Sequence, residues 1–437
     1  MSSATGTSPT PASPDVVVLG AGAIGAAAAY ELARRGARVA LLDRGRPDPN
    51  CSHGNAGLIC PSHAQALASR AAIRDGIGWL GRRDSPFYIR PRLSVLPWLA
   101  RFGVAALPSR SADGSAVLRS LAEASLTLHE RLAAAGLETG FARRGILSVF
   151  ESERGFEEER ARRSGDGARA EQLLEPGAAR ELEPALTRQI AGAVYYAGEA
   201  HCDPAAFVGA MLAAARQQGA ELHAGVEALR LLRSNGRVAE LETTAGRMRT
   251  GAVVVAAGVW SRELAAQVGA FVPLEAAKGY HVELEASPPP VGRPIYMEEA
   301  RVIATPLGER LRLAGTLELS GLDMGVDPVR VDALGRAARR VLRLPGNART
   351  VQVWRGLRPC TPDGLPVIGP SDGLDNLYLA TGHAMLGMTL APATGEIVAS
   401  LVTGEQSSHQ IEPFSPARFR RLRDLLGRRP RAPREEQ

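Results

Sequence analysis

The sequence predicts an α/β protein with two domains: a Rossmann-like domain built on a parallel sheet, and an α+β domain built on an antiparallel sheet. The first observation is an apolar run at 16–19 that ends in Gly-Ala-Gly-Ala-Ile-Gly and leads into a helical stretch. The second is a strand at 37–42 that ends in an acidic residue, Asp43. The third is a later series of candidate strands that alternate as an antiparallel sheet would, at 279–284, 301–305 and 311–316.

The glycine-rich turn supplies what a pyrophosphate needs. Gly20 allows a sharp turn, Gly22 lets the backbone approach a pyrophosphate, and Gly25 lets helix and strand pack closely. The start of the following helix offers unpaired N–H groups and the positive end of its dipole. Asp43 lies 23 residues after Gly20, where a carboxylate accepts hydrogen bonds from a ribose 2′-hydroxyl, which favours FAD or NAD over NADP. The alternative is an ordinary glycine-rich turn.

Further along the chain, strands and helices alternate in a way that returns to the same sheet. Asp203 is a good N-cap for a helix at 205–218. Strands at 221–233 and 238–243, joined by a hairpin turn and followed by a third short strand, predict a meander. A continuous apolar strand at 252–256 comes next. This order predicts a nucleotide domain that is assembled from separated pieces of sequence.

These elements divide the chain into two discontinuous domains with a segment at each end. The predicted division is a disordered leader, 1–14; a nucleotide-binding domain, 15–87, 201–269 and 346–418; a second domain, 88–200 and 270–345; and a basic tail, 419–437.

Length and composition bound the class of protein. The 437 residues exceed one ordinary core, and 45% hydrophobic with 22% charged residues are typical of a soluble globular protein. The formal net charge is +6, yet Lys278 is the only lysine, so the basic side chains are nearly all arginines. Few aromatic residues and no basic helix with a known motif argue against nucleic-acid binding. The arginine-rich segment 418–434 is typical of a solvated terminus, and contact with an anionic membrane surface is the alternative.

The sequence predicts no membrane span, no metal centre and no disulfide. The longest apolar run, 93–107, falls short of the ~20 residues that span a bilayer. Pro97 and Arg101 interrupt this run, which is expected to form a buried or interfacial helix. The four cysteines show neither a CxxC pair nor zinc spacing, which predicts reduced thiols. The expected location is therefore the cytoplasm, with peripheral attachment to the inner face of the membrane as the alternative.

A second glycine-rich region lies near the C-terminus. The segment 354–369, WRGLRPCTPDGLPVIG, precedes a strand at 377–381 and the run GHAMLGMT, which leads into a helix at 388–402. A helix that begins after a strand and a glycine-rich loop directs the positive end of its dipole at an anion. One more strand–helix unit packed on the sheet is the alternative.

With these segments, the chain resembles the FAD-dependent amine and amino-acid oxidoreductases of the D-amino-acid oxidase (DAO) superfamily, which includes glycine oxidase, sarcosine oxidase and D-amino-acid dehydrogenase. The matching segments are VVVLGAGAIG, Asp43, SHGNAGLI, VVVAAGVWS, KGYH, GLRPCTPDGLPVIG and GHAMLGMT. The combination of NAGLICPSH with GHAMLGMTLAP looks closest to bacterial D-amino-acid dehydrogenases, including those that act on D-proline or hydroxy-D-proline. The resemblance implies a glutathione-reductase-like fold of the DAO type.

The resemblance also implies which residues contact FAD along its phosphates, adenosine, ribityl chain and flavin ring. These expected contacts are Gly20, Gly22, Ala23, Ile24, Gly25, Asp43, Arg44, Ser52, Asn55, Ala56, Gly57, Leu58, Val226, Ala257, Gly258, Gly356, Gly387, Met388 and Thr389.

Four residues are catalytic candidates. Arg358, in the GxRP turn, is the leading substrate clamp, because a guanidinium binds a carboxylate through two parallel hydrogen bonds; a structural arginine near the flavin is the alternative. Tyr280 either offers a hydroxyl to the same carboxylate or lies in a core or interface. His53 and His383 lie in the two loops expected to face the flavin, although a lone histidine is more often structural.

The implied reaction is oxidative deamination of a D-amino acid, such as D-proline, hydroxy-D-proline or D-alanine, by hydride transfer from the α-carbon to flavin N5. Arg312 stands at the best match for a lysine that sarcosine-oxidase-like relatives carry over the flavin. Cys360 stands too close to the TPD turn to match the cysteine of covalent flavoproteins, so noncovalent FAD is expected. Both departures favour a dehydrogenase that passes electrons to a quinone or another acceptor. The alternatives are a glycine- or sarcosine-type oxidase that releases hydrogen peroxide, a non-catalytic flavin-binding partner protein, and an NAD enzyme.

Overall fold

The computed structural model of the chain describes residues 13–45, 51–79, 84–164, 171–286 and 288–420. Residues 1–12 of the predicted leader, 1–14, and residues 421–437 of the predicted tail, 419–437, lie outside these ranges. Within it, no helix is both long enough and apolar enough to cross a bilayer.

The strands are β1 (Val16–Leu19), β2 (Val39–Asp43), β3 (Leu58–Ile59), β4 (Phe87–Ile89), β5 (Ile146–Phe150), β6 (Glu171–Leu174), β7 (Gly192–Tyr196), β8 (Ala200–His201), β9 (Glu221–Ala224), β10 (Ala228–Ser234), β11 (Arg237–Thr243), β12 (Gly246–Arg249), β13 (Ala252–Val255), β14 (Glu275–Glu285), β15 (Ile295–Met297), β16 (Val302–Leu307), β17 (Arg310–Leu319), β18 (Arg349–Cys360), β19 (Val367–Pro370) and β20 (Leu377–Thr381). The α-helices are α1 (Ala23–Arg34), α2 (Arg70–Gly78), α3 (Leu96–Ala105), α4 (Pro108–Ala134), α5 (Glu153–Ser164), α6 (Pro176–Leu182), α7 (Pro204–Gln217), α8 (Ser261–Gln267), α9 (Pro328–Val341) and α10 (Gly387–Thr403). Short 3-10 helices lie at Pro61–His63, Leu93–Val95, Gly258–Trp260, Glu412–Phe414 and Pro416–Phe419.

The nucleotide sheet has six strands in the order β19-β20-β13-β1-β2-β9. All of them run parallel except the edge strand β19. The central strands are apolar on both sides, as strands covered on both faces must be. The helices α1, α7 and α10 cover one face, where four alanines at 26–29 let α1 approach closely, and the meander β10-β11-β12 covers the other. The predicted Rossmann-like sheet is confirmed.

The second sheet is mostly antiparallel and has nine strands. Its order is β18-β14-β17-β16-β15-β5-β7-β6, and β4 pairs in parallel with the end of β17. The predicted strands at 279–284, 301–305 and 311–316 correspond to β14, β16 and β17. The helix α9 packs against one face through Leu334 and Ala337. The opposite face contacts the loop after β2, where Arg312 donates to the carbonyls of His53 and Asn55.

The structure differs from the sequence-based predictions at three places, two in the assignment of elements to domains and one in a strand. Residues 349–360 are predicted in the nucleotide domain, but they form β18, which pairs with β14 of the second sheet. Both edges of the buried strand β14 are thereby hydrogen-bonded. Helix α4 is predicted in the substrate domain, but its Leu118 and Leu121 belong to the core beneath the nucleotide sheet. The single strand expected at 221–233 divides into β9 and β10, which lie in different sheets, near Gly225 with its φ of +79°.

Candidate active site

A cavity of about 1860 Å³ lies where the nucleotide sheet meets the nine-stranded sheet, and its walls come from both. The expected FAD contacts that line it are Gly20, Gly22, Ala23, Ile24, Asp43, Arg44, Ser52, Asn55, Ala56, Leu58, Val226, Ala257, Gly258, Gly356, Gly387, Met388 and Thr389. Of the expected contacts, Gly25 and Gly57 do not line the cavity; they shape its wall from behind. The structure therefore brings the distant loops of the sequence to one place.

The glycine turn before α1 has no room for side chains. Gly20 has a φ of +106°, and a Cβ there would lie 2.6 Å from the carbonyl oxygen of Ala256. A Cβ on Gly25 would lie 1.8 Å from the carbonyl oxygen of Gly20. The first N–H of α1, on Ala23, meets the hydroxyl of Ser52 at 3.0 Å. Such a turn leaves backbone N–H groups beside a helix start, which fits a pyrophosphate.

The acidic end of β2 is held in place beside this turn. The Asp43 carboxylate accepts hydrogen bonds from the N–H of Ala21 at 2.7 Å and of Gly45 at 2.9 Å. The guanidinium of Arg44 lies 3.9 Å from the centre of the Trp260 ring. These groups form the end of the cavity where an adenosine fits.

The start of α10 forms the opposite end of the cofactor cavity. The hydroxyl of Thr389 donates to the carbonyl of Leu58 at 2.9 Å, which ties this helix to the first glycine-rich loop. The carbonyl of Met388 accepts from Nε2 of His129 at 3.0 Å. Burial lowers the pKa of His129 to about 4, so the ring stays neutral. Since Gly387, Met388 and Thr389 line the cavity, the positive end of this helix faces any flavin bound there.

Arg358 lies in the wall of the same cavity, on the strand whose last residue, Cys360, bridges to His383 in the loop that leads into α10. Its guanidinium rests on Gly279, where a Cβ would lie 2.2 Å from Nη1. It donates one hydrogen bond, of 2.6 Å, to the carbonyl of Thr316. Burial lowers the pKa of the guanidinium, and within the described part of the chain no carboxylate pairs with it. The charge is thus available for a carboxylate ligand.

Thr316 itself has a strained backbone. Its φ of +67° is rare for a β-branched residue. At this residue β17 leaves its partner β16 and continues alongside β4. Strain of this kind costs about 1–3 kcal/mol and is found at functional sites. Here it places the carbonyl that holds Arg358.

The two histidine candidates differ in position. His383 is buried in the cavity wall, with Nε2 at 3.0 Å from the hydroxyl of Thr394, and burial lowers its pKa to about 3. A histidine that stays neutral provides a hydrogen-bonding group in the cavity wall but does not act as a general acid. His53 contributes its backbone carbonyl, which accepts from Arg312 at 2.6 Å, and its ring is not among the described side chains that line the cavity.

Tyr280 faces away from the cavity, so its expected contact with the substrate carboxylate needs correction. Its hydroxyl donates to Glu318 at 3.0 Å, and its ring packs in the core beneath α9. Successive side chains of a strand point to opposite faces, and on β14 it is the preceding residue, Gly279, that faces Arg358.

Arg312 supports the flavin-facing loop from behind. It forms a buried ion pair with Glu283 at 2.6 Å and donates to the carbonyls of His53 and Asn55, each at 2.6 Å. Its guanidinium does not line the cavity among the described residues. A cationic side chain over the flavin is therefore not supplied from this position.

One polar residue of the cavity wall, His63, was not predicted from the sequence. His63 lines the wall between the rings of Tyr196 and Tyr296, at centroid distances of 4.7 and 5.5 Å. Its Nδ1 lies 3.5 Å from the carboxylate of Glu199. Burial lowers the pKa of His63, but the carboxylates of Glu199 and its neighbours outweigh it and hold the pKa above its usual value. Glu199 accepts from the N–H of Ser62 across 137 residues of sequence, and no motif indicates that pairing.

His63 and Glu199 also stand close to Cys60. One potential ligand atom from each lies within 4.8 Å of the others. Burial raises the pKa of the Cys60 thiol well above its usual value, which favours the protonated thiol. The expectation that the protein holds no metal stays a prediction.

A turn with no space for side chains, opening onto a helix start, is typical of a protein that binds a dinucleotide cofactor. Residues 15–401 match the family described as FAD dependent oxidoreductase (DAO). The chain belongs to this family, and its cofactor is FAD; the glycine turn and the helix start of α10 fit that group. Whether the flavin is noncovalently held stays a prediction.

Curated relatives cover nearly the whole chain. A D-amino acid dehydrogenase of Paramagnetospirillum magneticum is 34% identical over 420 residues, which is 92% of this chain and 98% of the relative. A D-amino-acid oxidase of Bradyrhizobium diazoefficiens is 32% identical, with the same coverage. Among solved structures, glycine oxidase from Geobacillus kaustophilus superimposes with a TM-score of 0.73 at 26% identity, covering 93% of this chain and 98% of that one. The predicted fold and family are confirmed.

Proposed function

We propose that the protein is an FAD-dependent D-amino-acid dehydrogenase that acts on D-proline, hydroxy-D-proline or a small D-amino acid such as D-alanine. The observation that carries this proposal is Arg358, whose guanidinium has no carboxylate partner in the described chain and lies in the wall of the cavity that the start of α10 also lines. The names of the relatives support the D-amino-acid class.

The residues of the chain bind and orient the substrate. Arg358 takes the α-carboxylate through two parallel hydrogen bonds, which fixes the direction of the α-hydrogen. FAD, when bound, would accept the two electrons and the hydrogen of the Cα–H bond. The imine of a primary amino acid such as D-alanine then hydrolyses in water to the keto acid and ammonia, whereas D-proline gives a cyclic imine that keeps its nitrogen. The start of α10 stabilises the negative charge that the cofactor gains. The neutral ring of His383 keeps the wall polar without adding a competing charge.

The electron acceptor is proposed to be a quinone or another organic acceptor. Arg312 occupies the position at which the resemblance places an oxygen-activating lysine, but its guanidinium is fixed by Glu283 behind the loop. The second candidate function is an oxidase of glycine- or sarcosine-type amines, favoured by the likeness to glycine oxidase from Geobacillus kaustophilus at 26% identity. The free thiols of the four cysteines fit the proposed cytoplasmic location.

Anaerobic reduction of the bound flavin tests this function. The purified holoenzyme is mixed without oxygen with D-proline, hydroxy-D-proline and D-alanine, with their L-enantiomers, and with glycine and sarcosine, and the flavin absorbance is followed. Bleaching by D-enantiomers only is expected. Unchanged absorbance across the panel would reject an enzymatic role in favour of a flavin-binding partner protein. In air, stoichiometric hydrogen peroxide with no gain in rate from a quinone analogue would favour the oxidase.

A further inference from the structure

Three consecutive carbonyls of the loop before β3 are held by side chains of the nine-stranded sheet. The carbonyls of His53 and Asn55 accept from Nη1 of Arg312, each at 2.6 Å. Between them, the carbonyl of Gly54 lies 3.2 Å from Nδ1 of His281. A carbonyl oxygen only accepts hydrogen bonds, so Nδ1 carries the hydrogen and donates it. Two neighbouring strands, β14 and β17, therefore fix three successive peptide groups of this loop.

The two side chains that hold the carbonyls lie behind the loop. Gly54, Asn55 and Ala56 line the cofactor cavity. His281 and Arg312 are not among the described residues that line it, and each is at most 1% exposed. The loop thus lies between these two side chains and the cavity.

Because the carbonyls are fixed, the direction of the neighbouring N–H groups is fixed as well. In a planar trans peptide the C=O and N–H bonds point in opposite directions. The carbonyl of His53 shares a peptide with the N–H of Gly54, and the carbonyl of Asn55 shares one with the N–H of Ala56. Both N–H groups therefore point away from Arg312 and toward the cavity, and neither donates to another described residue. Backbone N–H groups aligned on one side of a turn bind an electronegative atom.

The middle peptide, between Gly54 and Asn55, depends on His281. Its N–H donates to the carbonyl of Ser52 at 3.0 Å, and within the described structure only His281 donates to its carbonyl. Gly54 itself does not restrict the rotation of this peptide, because it has no side chain. The ring of Trp354 takes that space, since a Cβ on Gly54 would lie 2.1 Å from it, and His281 stacks on the same ring at a centroid distance of 5.2 Å. Without its bond from His281 the carbonyl would be buried and unpaired, so the peptide would rotate and turn the flanking N–H groups with it.

The ring of His281 donates this hydrogen bond as a neutral group. Burial and the positive charge of Arg312 lower the pKa of His281 to about 4. The charge of Arg312 is in turn balanced by the carboxylate of Glu283 at 2.6 Å. The side chains behind the loop therefore direct N–H dipoles at the cavity without adding a net charge there.

We propose that His281 is a positioning residue for the flavin: by holding the carbonyl of Gly54 it keeps the N–H groups of Gly54 and Ala56 directed at FAD, which stabilises the reduced cofactor. Hydrogen bonds that a protein donates to a flavin tune its electronic properties. Reduced flavin carries more negative charge than oxidised flavin, so it gains more from N–H donors. The inference rests on FAD as the cofactor and not on the identity of the substrate or of the electron acceptor.

The midpoint potential of the flavin in the full-length holoenzyme, measured against a reference dye with dithionite as reductant, tests this role. In His281→Leu the donor is lost, and we expect the preference of the protein for reduced over oxidised FAD to fall about 10-fold, which lowers the two-electron potential by about 30 mV. His281→Asn is similar in size to His281→Leu but places an amide N–H at the position of Nδ1, so it should restore the wild-type potential. His281→Gln places its amide at the position of Nε2, away from Gly54, and should behave like His281→Leu. The matched control His409→Leu changes a histidine that contacts Glu396 and is not among the described residues of the cavity wall, and should keep the wild-type potential.

The pattern across the variants separates positioning of the flavin from a purely structural role. An equal fall in His281→Asn and His281→Leu would overturn the proposal, because lost packing and not the lost donor would then be responsible. An unchanged or raised potential in His281→Leu would overturn it as well. If His281→Leu does not retain FAD, the result rests on His281→Gln, which keeps the buried site polar, and a wild-type potential there would contradict the proposal. The measurement needs no amino acid, so its failure is distinguishable from failure of the proposed function, which flavin bleaching by D-amino acids tests.

Discussion

Replacing Gly279 by alanine tests the role of Arg358 without touching the arginine. A Cβ at 279 would lie 2.2 Å from Nη1 and 2.3 Å from Cζ of Arg358. The backbone of Gly279 does not have a positive φ, so it accepts alanine. The guanidinium is the flexible end of a side chain, whereas β14 is hydrogen-bonded along both edges. The guanidinium therefore moves, by about 1 Å or more, to reach ordinary contact distance.

The size of the effect follows from this displacement. A misplacement of about 1 Å in a substrate-positioning group costs on the order of 100-fold in rate, or about 2.7 kcal/mol of transition-state stabilisation. We expect kcat/KM for D-proline to fall by about this factor, while FAD content stays at the wild-type level because the cofactor loops are not altered.

Stopped-flow reduction of the flavin without oxygen measures the effect. The control is Gly209→Ala, which adds the same methyl group to an exposed position of α7 where no atom lies within 4 Å. D-Proline is compared with pyrrolidine, which has the same ring and amine but no carboxylate. The loss should occur with D-proline only. An equal loss with pyrrolidine, or wild-type rates with both, would refute the idea that Arg358 clamps the carboxylate.

Three further substitutions have expected outcomes. Asp43→Asn should weaken FAD binding by about 10- to 100-fold, because charge-assisted hydrogen bonds of the carboxylate are lost; unchanged affinity in a titration of the apoprotein contradicts this. Glu199→Gln removes the carboxylate that raises the pKa of His63, so its loss in free energy of unfolding should be largest below pH 6.5 and shrink as the pH rises through the raised pKa. In denaturant titrations, a loss in free energy of unfolding that grows with pH would be evidence against the pairing of His63 with Glu199. Arg312→Met should cost about 3 kcal/mol, the low end for a broken buried pair because Arg310 still contacts Glu283. The double variant Arg312→Met/Glu283→Met should recover part of the melting temperature, and further destabilisation would contradict the reasoning.

Local patterns predicted the parts of the site that depend on backbone geometry. The order of strand, glycine turn, helix and acid at 16–43 is sufficient to place β1, α1 and β2, because each step has a steric or hydrogen-bonding requirement. The predicted helix at 388–402 differs from α10 by one residue at each end. Such elements can be predicted from the sequence because the residues that meet their steric and hydrogen-bonding requirements lie close together in the chain.

The rest depended on long-range packing. On β14 nearly every side chain is buried on both faces, so the alternation that separates Gly279 from Tyr280 does not show which face meets the cavity. His63 and Glu199 are brought together by loops that lie far apart in the sequence. The placement of β18 in the second sheet depends on the free edge of β14, which becomes apparent only when both strands are in place.

The bond between Thr389 and Leu58 has a consequence for biosynthesis. It joins residues that are 331 positions apart, and both line the flavin end of the cavity. At about 5–20 residues per second, the ribosome takes roughly 20 to 60 seconds to make the intervening polypeptide. During that interval the nascent chain lacks the helix that closes the flavin site. We therefore expect the flavin end of the site to be completed late in synthesis, only after α10 has been made.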